Sequence, residues 1–262
     1  MNFFPFNLEP IGFVFFYIAL IFFGYYVASL WIARREGIAG AGAAALTDPY
    51  AIAALRSGPD EAIRVAIVSL VDRGLLSASD AGLRTSISRG VGAEVPIERA
   101  ILAFFDRAGA HVGGLSSDTQ TVAATAQLKT ALVEQGLLPG GAARARRLAP
   151  VIAVIVFLIV GALIRVIFIF PPLALLAWLT PASVAILLTL YFNKSTSLGR
   201  KSLEALQTQW VSSVDHIDAL MPGTASSEVA TLAAVFGVGV LPAKHFPGVA
   251  YAVSGVPGKA AR

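Results

Sequence analysis

The chain has 262 residues, 56% of them hydrophobic and 14% charged, with a mean hydropathy of +0.73 and a formal charge of +4. A soluble domain averages roughly 45 to 50% apolar and about 25% charged residues, so this composition points to a membrane protein and excludes collagen, coiled coil and disorder throughout. The absence of cysteine removes disulfides, thiolate zinc sites, Fe–S clusters and thiol nucleophiles together, and leaves the redox compartment unreadable.

From Pro10 to Ala33, 24 consecutive residues carry no charge. At 1.5 Å per residue such a helix crosses a hydrocarbon core of about 30 Å. Phe13, Phe15, Phe16, Tyr17, Tyr25, Tyr26 and Trp31 crowd it, and the Tyr and Trp of its C-terminal half fit an interfacial aromatic belt. No Lys or Arg stands among the first ten residues and the apolar stretch is long, so residues 1–36 are expected as an uncleaved anchor rather than a signal peptide. Residues 37–47, nearly all Gly and Ala, read as a linker. Gly37-Ile38-Ala39-Gly40-Ala41-Gly42 follows a membrane helix rather than a strand, which makes it a poor dinucleotide motif.

A folded region is expected over 48–142. Asp48-Pro49 is a helix-start signal, and a short helix through Arg56 ends at Ser57-Gly58-Pro59. The next helix opens at Pro59-Asp60-Glu61, its acidic first turn matching the helix dipole, and closes at Gly74. Ile63, Ile67, Leu70 and Val71 recur at helical spacing, predicting one buried face. Val71-Asp72-Arg73-Gly74-Leu75-Leu76 then leads into an extended segment, a turn over 77–82 and a returning strand over 83–88, as in the wing of a winged helix. The same ending recurs at Val133-Glu134-Gln135-Gly136-Leu137-Leu138, after helices at about 97–108 and 118–135. A repeat of about 60 residues is the economical reading, with winged-helix-like units at 48–90 and 95–140. The second unit's core would be Ile97, Ile101, Leu102, Phe105, Val122, Leu128, Leu132 and Val133, and it has no wing, because Pro139-Gly140-Gly141 leads directly toward the membrane.

Winged helices often bind DNA, and charge tests that reading. Over residues 48–140 there are 8 basic and 10 acidic residues, a net of −2. Nonspecific DNA affinity comes from Lys and Arg neutralising phosphates, and no basic stripe is present. The +4 overall and the pI of about 9.6 are largely juxtamembrane.

The second apolar block, Leu148 to Asn193, has 46 residues and one charge, Arg165. That length is two spans. Pro171-Pro172 supplies a hairpin turn between helices at about 149–169 and 173–192, with Pro181 kinking the latter. Arg34 and Arg35 follow the first span, Arg144, Arg146 and Arg147 precede the second, and Lys194, Arg200 and Lys201 follow the third. All three clusters predict one topology, N-terminus and hairpin outside, residues 34–147 and 194–262 in the cytoplasm. Arg165 costs roughly 2.5 to 3.5 kcal/mol near mid-bilayer, so it either snorkels to the outer headgroups or pairs with an acidic residue of a partner protein.

Within 197–241, Leu203, Leu206, Trp210, Val214 and Ile217 make one helical stripe. It could lie on the membrane or pack on the winged units, and Asp215 and Asp218 favour packing, because they deny its later part a cationic face. Val229 to Leu241 is too short to span. Residues 242–262, rich in Pro, Gly and Ala, read as a flexible tail.

No catalytic constellation stands out. His111, His216 and His245 are scattered, and Asp215-His216-Ile217-Asp218 reads as a solvated helix face unless another segment completes a metal site. Gly113-Gly114-Leu115-Ser116-Ser117-Asp118 is a loop with a helix cap rather than a nucleophile elbow. Asn193-Lys194-Ser195 is a sequon on the predicted cytoplasmic side, where it carries no meaning.

The run Asp48-Pro49-Tyr50-Ala51-Ile52-Ala53-Ala54-Leu55-Arg56-Ser57-Gly58-Pro59, the helix end Val71 to Leu76, the basic approach to a paired span, and Thr196-Ser197-Leu198-Gly199-Arg200-Lys201-Ser202-Leu203-Glu204-Ala205-Leu206 resemble a family of uncharacterised bacterial membrane proteins that share a domain of unknown function. The similarity covers about residues 10–241. Many members end in a Gly/Cys-rich tail, where this chain has a short Pro/Gly/Ala tail. The resemblance implies the bacterial inner membrane and three spans, and supplies no catalytic residues. The expectation is a mainly α membrane protein with a cytoplasmic tandem winged-helix-like α(+β) module, not an enzyme and without cofactor or metal. It would act as an accessory or adaptor subunit, touching membrane lipid and a protein partner through Arg165, Leu206, Trp210 and Ile217. The alternative is a membrane-tethered regulator that binds DNA, although nucleic acid is not the expected partner.

Overall fold

Local chemistry sets the helix boundaries. The Asp48 carboxylate accepts a hydrogen bond from the Tyr50 N–H at 3.0 Å and Pro49 sits at the first helical position, which starts a helix at once. That helix stops at Gly58, whose φ of +104° is a conformation L side chains rarely adopt, and Pro59 opens the next. Asp118 caps a third helix through the Thr121 N–H at 3.1 Å.

The computed structural model is mainly helical and describes residues 10–39, 46–79, 82–86, 95–107, 110–169, 173–192, 195–214, 216–217, 223, 226–242 and 244–255. In order, these form α1 (Pro10–Ala39), α2 (Pro49–Ser57), α3 (Pro59–Asp72), β1 (Leu76–Ser79), β2 (Gly82–Thr85), α4 (Pro96–Phe105), a 3-10 turn (Val112–Ser117), α5 (Thr119–Glu134), α6 (Gly141–Ile169), α7 (Leu173–Phe192), α8 (Ser197–Val214), α9 (Ser226–Phe236), a 3-10 turn (Val238–Val240) and α10 (Pro247–Gly255). β1 and β2 pair antiparallel, Leu76 opposite Thr85 and Ser79 opposite Gly82. The chain divides into two units, Met1–Ala41 with Pro139–Ser197, and Gly42–Leu138 with Leu198–Arg262.

In the first unit, α1, α6 and α7 pack on one another around Tyr17, Ile21, Ala28, Val151, Leu158, Leu187 and Leu190. The Tyr17 hydroxyl donates to the Leu158 carbonyl at 3.4 Å. Gly24 lets α1 approach α6, since a Cβ there would lie 2.6 Å from Val154 Cγ1. The outside of this unit is apolar, with Phe22, Phe23, Phe157 and Phe192 each more than 60% exposed. Among the described residues, one helix is long and apolar enough to cross a membrane, Val14–Glu36, with mean hydropathy 1.9. Two boundaries differ from expectation. α1 continues through Ala39 into the predicted linker, and α6 starts at Gly141, so the basic cluster lies inside its first turns. Pro171-Pro172 lies outside the described residues.

The second unit is built around α3. Every residue from Glu61 to Leu70 except Arg64 is buried, because α2, α4, α5, α9 and α10 all pack on this helix. The expectation of one buried face is corrected. Ala62, Val65, Ala66 and Val68 fill the sides that Ile63, Ile67 and Leu70 leave, and a helix apolar around most of its circumference is buried around most of it. A hairpin follows α3, but its first strand is Leu76–Ser79 in place of the expected turn over 77–82 and its second is Gly82–Thr85, and the two expected cores are one. Ile97, Ile101, Phe105 and Leu132 share a single cluster with α2, α3, α9 and α10, while Val122 is exposed. Nor is 242–262 a flexible tail throughout, since Phe246, Val249 and Ala252 of α10 and the turn before it are buried against the same core. Gly248 permits that approach, a Cβ there lying 3.0 Å from Val71 Cβ.

Candidate functional site

Charged side chains inside the second unit tie helices together. Arg56 on α2 donates from Nε to the Ala234 carbonyl of α9 at 2.9 Å and from Nη2 to Glu61 of α3 at 2.5 Å. Glu61 also pairs with Arg64 at 3.3 Å. Glu98 on α4 is buried and meets Arg73 at 2.5 Å and the Tyr50 hydroxyl, which also contacts Ser69 at 3.3 Å. Burial and the bond to the Glu98 carboxylate push the Tyr50 phenol far above its ordinary range, so it stays a neutral donor. Arg107 pairs with Asp118 at 2.7 Å. Burial raises Asp118 somewhat, but the Thr121 N–H, the Arg107 guanidinium and the Thr121 hydroxyl bind its charged form and bring it below the usual carboxylate range. Asp48 goes the other way, because burial outweighs its backbone hydrogen bonds and raises it. These groups hold three or more helices in register.

Among the described residues, side chains of α4 and α5 shape a surface groove. Pro96, Arg99, Ala100 and Ala103 of α4 face Gln120, Ala123, Ala124 and Gln127 of α5 across about 520 Å³. Ala100 and Ala124 are buried at its base, while Ala103, Ala123, Arg99 and the two glutamines stand exposed around it. The expected partner-contact residues are elsewhere. Leu206 and Trp210 of α8 are half-buried against the unit's own core and Ile217 is buried, so this stripe packs on the helical unit. Gly199 brings α8 against the chain, because a Cβ there would collide with the Leu137 carbonyl oxygen. Arg165 lies on α6, and its side chain falls outside the described part of the structure.

DNA recognition by a winged helix would need the helix before the hairpin to enter a groove. That helix is α3, and its burial leaves it no open face.

In the first unit the topology residues separate into two kinds. Arg34 and Arg35 of α1 and Arg144 and Arg146 of α6 are exposed, as is Arg200 with Lys201 on α8 in the second unit, while Lys194 lies outside the described residues. Arg147 is instead 3% exposed. It donates from Nε to Glu36 at 2.6 Å and from Nη2 to the Ser195 carbonyl at 3.2 Å. The other Glu36 oxygen accepts the Ser197 N–H at 3.1 Å. The end of α1, the start of α6 and the segment after α7 are thereby locked at one point. Sequence reasoning missed Glu36, and the available signal was a lone acid at the end of a span facing three arginines. Beside this lock lies a cavity of about 260 Å³ lined by Trp31, Ile32, Arg35, Glu36, Ala143, Arg146 and Arg147. The Arg35 guanidinium lies 4.0 Å from the Trp31 ring centroid.

Among the described residues, no group of three or more His, Asp or Glu side chains is placed to hold a metal ion. Compared with protein-family models, with curated proteins and with solved structures, the chain matches none.

Proposed function

We propose that this chain is a three-span accessory protein of the bacterial inner membrane whose helical unit binds another protein on the cytoplasmic side. The α4–α5 groove carries the reading. An alanine floor between two helices admits a helix or extended segment at close range, and Arg99 on the rim selects an acidic one. The charged pairs elsewhere in this unit serve its own helices, whereas the groove is open on the surface. Support for three spans comes from α6 and α7, with 29 and 20 residues, and from large apolar side chains exposed on all three helices of the first unit. The basic residues at the helix ends support the cytoplasmic placement.

The test is gentle extraction of the tagged full chain, cross-linking and mass spectrometry, run beside an Ala103→Arg/Ala123→Arg variant. A stoichiometric membrane partner recovered by the parent chain and lost from the variant is the expected result. Recovery of the chain alone, or of the same partner by both, overturns the groove as its seat.

A further inference from the structure

The cavity beside the Glu36–Arg147 lock has the chemistry of an anion site. Arg147 and Glu36 neutralise one another at 2.6 Å, which leaves Arg35 and Arg146 as the charges on its wall. Neither forms an ion pair among the described residues, and both are exposed. Arg35 is held by the Trp31 ring, so part of its ordering entropy is already met. Trp31, Ile32 and Ala143 supply an apolar wall on the same cavity. Its volume of about 260 Å³ falls under the roughly 300 Å³ at which drug-sized pockets begin, which suits a headgroup fragment better than a nucleotide.

We propose that this cavity binds one phosphate group, the phosphodiester of an anionic phospholipid, between Arg35 and Arg146, with the lipid's glycerol and upper chain against Ile32 and Trp31. This rests on the membrane reading above, which places the C-terminal end of α1 at the cytoplasmic headgroups. There the leaflet is anionic, and each Lys or Arg adds attraction. Guanidinium groups take phosphate oxygens two at a time, which gives the site geometry as well as charge.

The experiment uses the full chain in neutral detergent, stripped of lipid and titrated with phosphatidylglycerol, phosphatidylcholine or inorganic phosphate under native mass spectrometry. One phosphatidylglycerol should be retained, on the order of tenfold more tightly than phosphatidylcholine. Arg35→Gln/Arg146→Gln should lose that preference, and so should Ala143→Leu, which fills the cavity without changing its charge. Arg34→Gln/Arg144→Gln removes the same charge outside the cavity and should keep it. Equal loss in both arginine pairs, or equal retention of the two lipids, overturns the site. Inorganic phosphate competing as well as phosphatidylglycerol overturns the lipid as its source and leaves free phosphate. Alkaline carbonate extraction of native membranes tests the membrane reading separately, since release of the chain sinks that reading whatever the cavity binds.

Discussion

The two units of this protein sort their side chains by opposite rules. In the first, phenylalanines point outward and the interior holds a hydrogen-bonded tyrosine and a glycine at a helix crossing. In the second, helix α3 is hidden on nearly every side and ion pairs stitch the helices around it. On the three-span reading proposed above, burial would follow the solvent, since a surface of exposed Phe22, Phe157 and Phe192 is favourable against hydrocarbon and costly against water.

The strongest way to break this comparison is to delete residues 226–262. The second unit then loses Val229, Leu232, Val235, Phe246 and Val249 from around α3, more than a domain stability of about 5 to 15 kcal/mol can absorb. Amides of 65–70 should exchange freely by hydrogen–deuterium exchange, while α1 stays resistant to alkaline extraction. Next in size is Glu98→Ala, which removes the buried carboxylate that Arg73 and the Tyr50 hydroxyl share and should cost about 3 kcal/mol by urea unfolding. A matched pair sharpens the contrast. Phe22→Asp should impair membrane insertion by roughly 2.5 to 3.5 kcal/mol, whereas Val211→Asp, equally outward on α8, should change stability by about 0.5 kcal/mol or less. The smallest effect belongs to the two helix caps. Asp118 is lowered on folding, so its contribution is complete above its ordinary value of 3.8 and disappears as pH falls below it, and Asp118→Asn should flatten that acid limb. Asp48 is raised, so its charged form opposes folding as pH climbs. Because asparagine also caps, Asp48→Asn should leave neutral-pH stability unchanged or slightly higher.

What could be read beforehand was local chemistry. Asp48-Pro49, Pro59-Asp60 and Asp118 announce helix starts by groups that act within three residues, and the hairpin follows from the abrupt end of α3 at Gly74. What could not be read was who covers α3. Its run Ala62 to Leu70 carries one charge, Arg64, and apolar residues on most of its circumference, a sign of extensive burial that the stripe of Ile63, Ile67 and Leu70 masks. The covering helices arrive from the far end of the chain, and α10 hides its contacts Phe246, Val249 and Ala252 within a Pro/Gly/Ala-rich segment. The α4–α5 groove was equally silent, because alanines signal neither core nor site until two helices set them face to face. Glu36 was legible only as a lone acid at the end of a span, and its partner stands 111 positions away.

The late arrival of α9 has a consequence for biosynthesis. Between the end of α3 and the start of α9 the ribosome must add roughly 150 residues, at about 5 to 20 per second. For on the order of ten to thirty seconds α3 therefore has α2, α4 and α5 but neither α9 nor α10 for cover. A ribosome that stalls before α9 leaves a nascent chain with that helix open on its far side.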